Sequence, residues 1–105
     1  YFHCATEGHK VAALRRDARV SLAVIGYERV APERFTTSYA SVIVFGKAVL
    51  VEDPEERRRA LMALVGKYSA DFYEKGRAYV EGYRKPLGVW RVDVVHCTGK
   101  RSGTE

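Results

Sequence analysis

The stretch His3-Cys4-Ala5-Thr6-Glu7-Gly8-His9-Lys10 gathers more reactive side chains in less length than any other part of this chain. An extended segment ends within it, Thr6-Glu7-Gly8 makes a turn, and a helix is predicted from His9 with Lys10 in its first turn. The N–H groups of a first helical turn have no carbonyl partner inside the helix, and the peptide dipoles add about half a positive charge there. With the Lys10 ammonium this makes a candidate phosphate cradle. The competing reading is a solvated lysine beside a helix start. A cation is slightly unfavourable at that end, which favours an anionic partner. His3 is either a satisfied strand residue or a group that hydrogen-bonds a ligand ring. Cys4 reads first as a small apolar residue. Ser41, polar among apolar neighbours, is either a strand-end residue or a donor aimed into a pocket.

Self-contained catalytic devices are missing from the sequence. Ser41 with His3 or His9 has no evident third member and no GxSxG elbow. Neither GxGxxG nor a Walker loop is present, and no carboxylate pair stands out. There is no CxxC and no paired His/Cys spacing for zinc. A chain so poor in acids, bases and nucleophiles is expected to borrow its chemistry from a cofactor.

The elements that must position these residues are legible from periodicity. Tyr1 to Ala5 reads as a short strand with Phe2 and Cys4 on one face and Tyr1, His3 and Ala5 on the other. Val11, Leu14 and Ala18 give the first helix an apolar stripe. Arg19 to Tyr27 is a second strand, and Glu28 to Thr37, with Pro32 and no clear period, is expected to be a loop. Ser38 to Val51 is a long β-branched strand, apolar on both faces through Val42, Ile43, Val44 and Phe45, and such a strand is covered on both sides, by a core and by another element or subunit. Gly46 marks an expected bulge, bend or close approach of a backbone or ligand.

Asp53-Pro54-Glu55-Glu56 starts a second helix, with a capping aspartate, proline at the first helical position and acidic residues at the positive end of the dipole. Ala60, Leu61, Leu64, Val65 and Tyr68 are its expected buried stripe. Ser69 to Tyr83 is aromatic-rich and helix-permissive, interrupted by Gly76 and Gly82. Gly88 to Cys97 alternates as a last strand, with Trp90, Val92 and Val94 on its apolar face, and Thr98 to Glu105 reads as a polar tail. Strands outweigh helices, which predicts a mainly β, α+β domain built round a small barrel.

Composition bounds the rest. At 105 residues, 47% hydrophobic and 30% charged, residues 1–105 form one globular domain and not a disordered segment. Apolar runs are too short to cross a bilayer, and no signal peptide opens the chain. The net charge of +5 (18 basic, 13 acidic) raises the question of nucleic acid. Arg57, Arg58 and Arg59 are, however, balanced by Glu52, Asp53, Glu55 and Glu56, and no basic tract interleaves with aromatics. Two cysteines, Cys4 and Cys97, are few for a disulfide scaffold and suit a reducing compartment, the cytoplasm. The chain opens Tyr-Phe-His, without methionine and already inside a predicted strand, as a fragment or a processed product would.

Taken in order, YFHCATEGHKVAALRRDARVSLAV and TTSYASVIVFGKAVLVEDPEERRRALMALVGKY resemble the pyridoxamine 5'-phosphate oxidase-like flavoprotein superfamily, nearest its 5-nitroimidazole resistance branch. The resemblance runs from Tyr1 to about Lys100. It implies a split β-barrel that binds FMN, commonly as a homodimer with the flavin at the subunit interface. It also implies further barrel strands ahead of Tyr1, which would leave this chain truncated at its N-terminus. Carried over by position, Lys10 and His9 contact the FMN phosphate, His3 and Cys4 lie along the flavin, and Ser41 contacts it from the long strand. His3 then stands on the substrate side as the catalytic candidate. His9 occupies a position where many relatives have arginine, and an imidazole lacks the bidentate fork of a guanidinium. The expected activity is a flavin oxidoreductase acting on a small ring substrate, with nitroimidazole reduction the candidate reaction. The alternative on the same fold is a non-catalytic flavin or haem carrier.

Overall fold

The computed structural model describes residues 1–103. In chain order the elements are β1 (Phe2–Cys4), α1 (His9–Arg16), β2 (Arg19–Ala31), β3 (Thr36–Leu50), α2 (Pro54–Tyr68), α3 (Tyr73–Gly82) and β4 (Gly88–Ser102), with 3₁₀ turns at Pro32–Arg34 and Ala70–Phe72. Among the described residues this is a mixed α and β fold, a four-stranded sheet in the order β1-β4-β3-β2 with three α-helices. The pairs β1/β4 and β2/β3 are antiparallel. The residues fall into two compact units, Tyr1–Ala18 with Ala48–Val92, and Arg19–Lys47 with Asp93 onward.

The first unit holds the core. Val51, Ala60 and Val89 are buried together, with Leu61 and Leu87 packed against them. The Val51 N–H donates to the Val89 carbonyl (2.8 Å) and joins the end of β3 to the start of β4. Helix α2 begins as its sequence dictates: Asp53 Oδ2 accepts from the Glu56 N–H at 3.0 Å, and Pro54 takes the first helical position. Its buried face differs from the expected stripe. Met62 is buried beside Ala60, while Tyr68, 73% exposed, lies on the last turn beyond the core.

Residues 69–83 form a 3₁₀ turn and α3, and Gly76 is what lets α3 approach α2. A Cβ at Gly76 would come within 2.5 Å of Val65 Cγ1. Helix α1 is shorter than its apolar spacing suggested. It stops at Arg16, Asp17 is extended, and the Ala18 carbonyl accepts from the Ala48 N–H (2.8 Å), so Ala18 serves a strand and not a helical stripe.

The second unit corrects three expectations. The segment Glu28 to Thr37 is not a loop: β2 runs on to Ala31, a 3₁₀ turn reverses the chain, and β3 pairs back from Thr36, with Glu28 opposite Tyr39 and Val30 opposite Thr37. Cross-strand pairing overrides the local signal, and Pro32 sits in the turn, where its missing N–H costs nothing. The bulge is not at Gly46, which pairs in register with Val20; the ladder shifts between Ile25 and Tyr27, at Gly26. Residues 98–102 belong to β4 and are not a tail, while Thr104 and Glu105 lie outside the described residues. Phe35 at the hairpin tip has φ 54°, a left-handed conformation unusual for a bulky residue.

The apolar residues of this second unit are open in the single chain. Leu22 and Val24 of β2 share a face with their partners Val44 and Val42, while Ile43 and Phe45 point to the other face. Phe45 is 46% exposed and, on β4, Val95 is 73% exposed.

Candidate functional site

β1 is a three-residue strand whose two faces do different work. Phe2 and Cys4 are half-buried on one face, where the Phe2 ring lies parallel to that of Trp90, its ladder partner, with centroids 6.3 Å apart. His3 is exposed on the opposite face. It borders an apolar recess of about 220 Å³ lined by Leu61, Leu64 and Val65 of α2, Tyr79 of α3 and Tyr83 just past its end.

Glu56 ties three elements together. Its carboxylate accepts from Arg91 of β4 (3.0 and 2.8 Å) and from the Tyr1 hydroxyl at the head of β1 (2.9 Å). Hydrogen bonding by Arg91, then by Tyr1, holds the Glu56 carboxyl below the usual range. The same bond to Glu56 raises the Tyr1 phenol above its ordinary value.

Past Ala5 the chain turns, and Gly8 takes φ 136° at the N-cap of α1, a backbone region open to glycine and strained for other residues. The first helical bond runs from the Ala12 N–H to the Gly8 carbonyl (3.0 Å), so the amides ahead of Ala12 lie outside the helical ladder. No side chain caps this end and no acidic residue stands in its first turn. His9 and Lys10 are exposed there.

The contrast with α2 is informative. The positive end of α2 is satisfied by Asp53, Glu55 and Glu56, whereas α1 offers its amides, an imidazole and an ammonium to solvent. A second hollow of about 260 Å³ flanks the same turn, lined by residues including Thr6, Val11, Arg15, Arg57 and Trp90.

The structure thus places His3, Cys4, His9 and Lys10 in the first unit, on β1 and the α1 start. His3 and Cys4 are chain neighbours on opposite strand faces, and the recess beside His3 is lined by residues other than those of the α1 start. Ser41 belongs to the second unit, half-buried on β3 opposite Ile25 at the edge of the bulge. Sequence reading did not single out Tyr79 and Tyr83, although their spacing of four residues in an aromatic-rich helical stretch puts both on one face. Arg15 gave no such signal. Among the described residues no group of three His, Cys, Asp or Glu is placed to hold a metal ion, and no helix is long and apolar enough to cross a membrane. Cys4 and Cys97 are free thiols.

No curated protein matches the chain. A crystal structure of a provisionally named 5-nitroimidazole antibiotic resistance protein from Bacteroides thetaiotaomicron is similar, with a TM-score of 0.66 and 27% sequence identity. The similarity covers 92% of this chain and 57% of that protein, so the chain spans little more than half its length. A family model described as pyridoxamine 5'-phosphate oxidase matches residues 1–101. By that match, the chain belongs to the pyridoxamine 5'-phosphate oxidase family.

Proposed function

We propose that this chain belongs to an FMN-binding split barrel that works as a cytoplasmic homodimer and reduces a small ring substrate, a nitroheteroaromatic being the favoured class. The observation that carries the reading is the start of α1 in a chain of this family: an N-terminus with no cap and no acid, preceded by a glycine at positive φ and bearing His9 and Lys10. Those donors suit a phosphate dianion, because amides, ammonium and dipole all favour negative charge at one place. The residues therefore fit the phosphate end of the cofactor.

FMN, when bound, supplies reversible two-electron transfer between a reductant and the substrate. Lys10, His9 and the α1 amides would hold the phosphate. By the resemblance, His3 and Cys4 of β1 would border the ring, Ser41 would donate to it, and His3 would orient the substrate and move a proton. The open apolar residues of β2, β3 and β4, Phe45 and Val95 among them, are the surface a second copy covers.

The test is reconstitution with FMN, followed by the visible spectrum and quenching of flavin fluorescence. Saturable quenching is expected, weakened about tenfold or more in Lys10→Ala through loss of a charge-assisted phosphate contact. His3→Ala should keep its flavin and lose turnover of a nitroimidazole with a chemical reductant. A protein that never retains FMN overturns the reading. One that binds FMN but is idle in every variant is a carrier.

A further inference from the structure

A groove of the first unit, between α2 and the connection from α3 to β4, is strongly cationic. Arg57 and Arg58 line it from α2, Arg84 and Lys85 line it from the connection, and Glu81 is the one carboxylate among its lining residues. Four cations against one carboxylate leave three positive charges unbalanced at its wall. The groove has a volume of about 480 Å³, inside the range of roughly 300–1,000 Å³ common to small-molecule sites.

The guanidinium groups are oriented by the protein itself. Arg57 Nη1 donates to the Leu87 carbonyl (2.8 Å), and Arg84 Nη1 donates to the carbonyls of Glu81 (2.8 Å) and Tyr83 (3.2 Å). Arg58 Nη2 pairs with Glu81 Oε1 at 3.0 Å. A guanidinium carries five donors in a rigid fork, so these bonds fix its direction and leave further N–H groups for a ligand. Lys85 adds an exposed ammonium.

The aromatic half lies next to it. Tyr83 lines the groove and packs on Tyr79, ring centroids 5.7 Å apart. A neighbouring hollow of about 490 Å³ is bordered by Tyr79, Tyr83, Arg84 and Lys85. Oriented arginines suit phosphate oxygens and a tyrosine pair suits a flat ring.

We propose that this groove binds a nucleoside diphosphate, its phosphates on Arg57, Arg58, Arg84 and Lys85 and its base against Tyr79 and Tyr83. None of the groove's lining residues belongs to β1 or α1, although Tyr79 and Tyr83 also line the recess beside His3.

Calorimetric titration of the purified chain with ADP, pyrophosphate and adenosine, with and without FMN, tests it. Saturable ADP binding is expected, weakened by added salt and about tenfold or more by Lys85→Glu, with recovery in Lys85→Arg. Circular dichroism of each variant separates lost binding from lost folding. Absence of saturable ADP binding, equal affinity in Lys85→Glu, or displacement of ADP by FMN overturns the proposal. Adenosine binding as tightly as ADP overturns the phosphate contacts, and pyrophosphate binding as tightly as ADP overturns the tyrosine contacts. Failure of FMN to bind leaves the flavin-free titration intact, so the two readings fail separately.

Discussion

Val51, Ala60 and Val89 of the first unit are sealed from water, while Leu22, Val24, Ile43 and Phe45 of the second stand open to it. Every buried hydrophobic residue among those described, from Val11 to Trp90, belongs to the first unit. Hydrophobic residues are nearly as frequent in the second unit as in the first, so apolar content does not separate them. The difference is helices: α1, α2 and α3 all fall in the first unit and give its strands something to pack against. The second is strand alone, and a sheet with no layer upon it cannot close a core. Apolar content states how much must be buried; the layer arrangement states where cover is still owed.

The contrast can be broken most forcibly at Trp90, 6% exposed on the first unit's side. Trp90→Ala should cost about 3–5 kcal/mol and lower the thermal midpoint by many degrees. Phe45→Asp should leave that midpoint nearly unchanged at low protein concentration and instead convert the proposed homodimer to a monomer in sedimentation velocity. A Phe45→Asp protein that sediments like the parent would remove this surface from the interface.

A smaller effect sharpens the account of how the first unit packs. Gly76→Ala sets a methyl against Val65 and should destabilise by about 1–3 kcal/mol. Gly66→Ala, with nothing within 4 Å of the new Cβ, should stabilise α2 by about 0.5–1 kcal/mol. Urea midpoints of the two variants moving in the same direction would contradict the close approach of α3 to α2.

The smallest effect is electrostatic. The Glu56 carboxyl is held below its ordinary value by Arg91 and Tyr1, so its contribution is present above the unfolded carboxylate range and fades as pH falls through the lowered value. Glu56→Gln should lower the thermal midpoint slightly at neutral pH, where that contribution is present, and flatten the acid limb so that the two profiles converge at low pH. An unchanged acid limb would show that the Tyr1–Glu56–Arg91 cluster adds no pH-dependent stability.

What could be read in advance follows the range of the interactions. The start of α2 was plain because Asp53, Pro54, Glu55 and Glu56 act within one turn. The turn at Gly8 and the helix beginning at His9 were equally local. The continuation of β2 beyond Tyr27 was hidden, since Glu28 and Val30 are held by Tyr39 and Thr37 across a hairpin and not by any period of their own. Tyr68 fitted the helical stripe yet lies past the end of the core, and Met62, off that stripe, is covered. At the site, the cations of α1 were visible from their order. The recess beside His3 was not, because its walls come from residues some sixty to eighty positions away in the chain.

Phe35 carries one further consequence. Its ring, 96% exposed, crowns the reversal between β2 and β3 on a backbone that glycine would adopt more cheaply. A protease selecting aromatic residues therefore meets its most accessible bond here, and limited digestion of the native protein should nick the chain at this crest before the strands on either side are attacked.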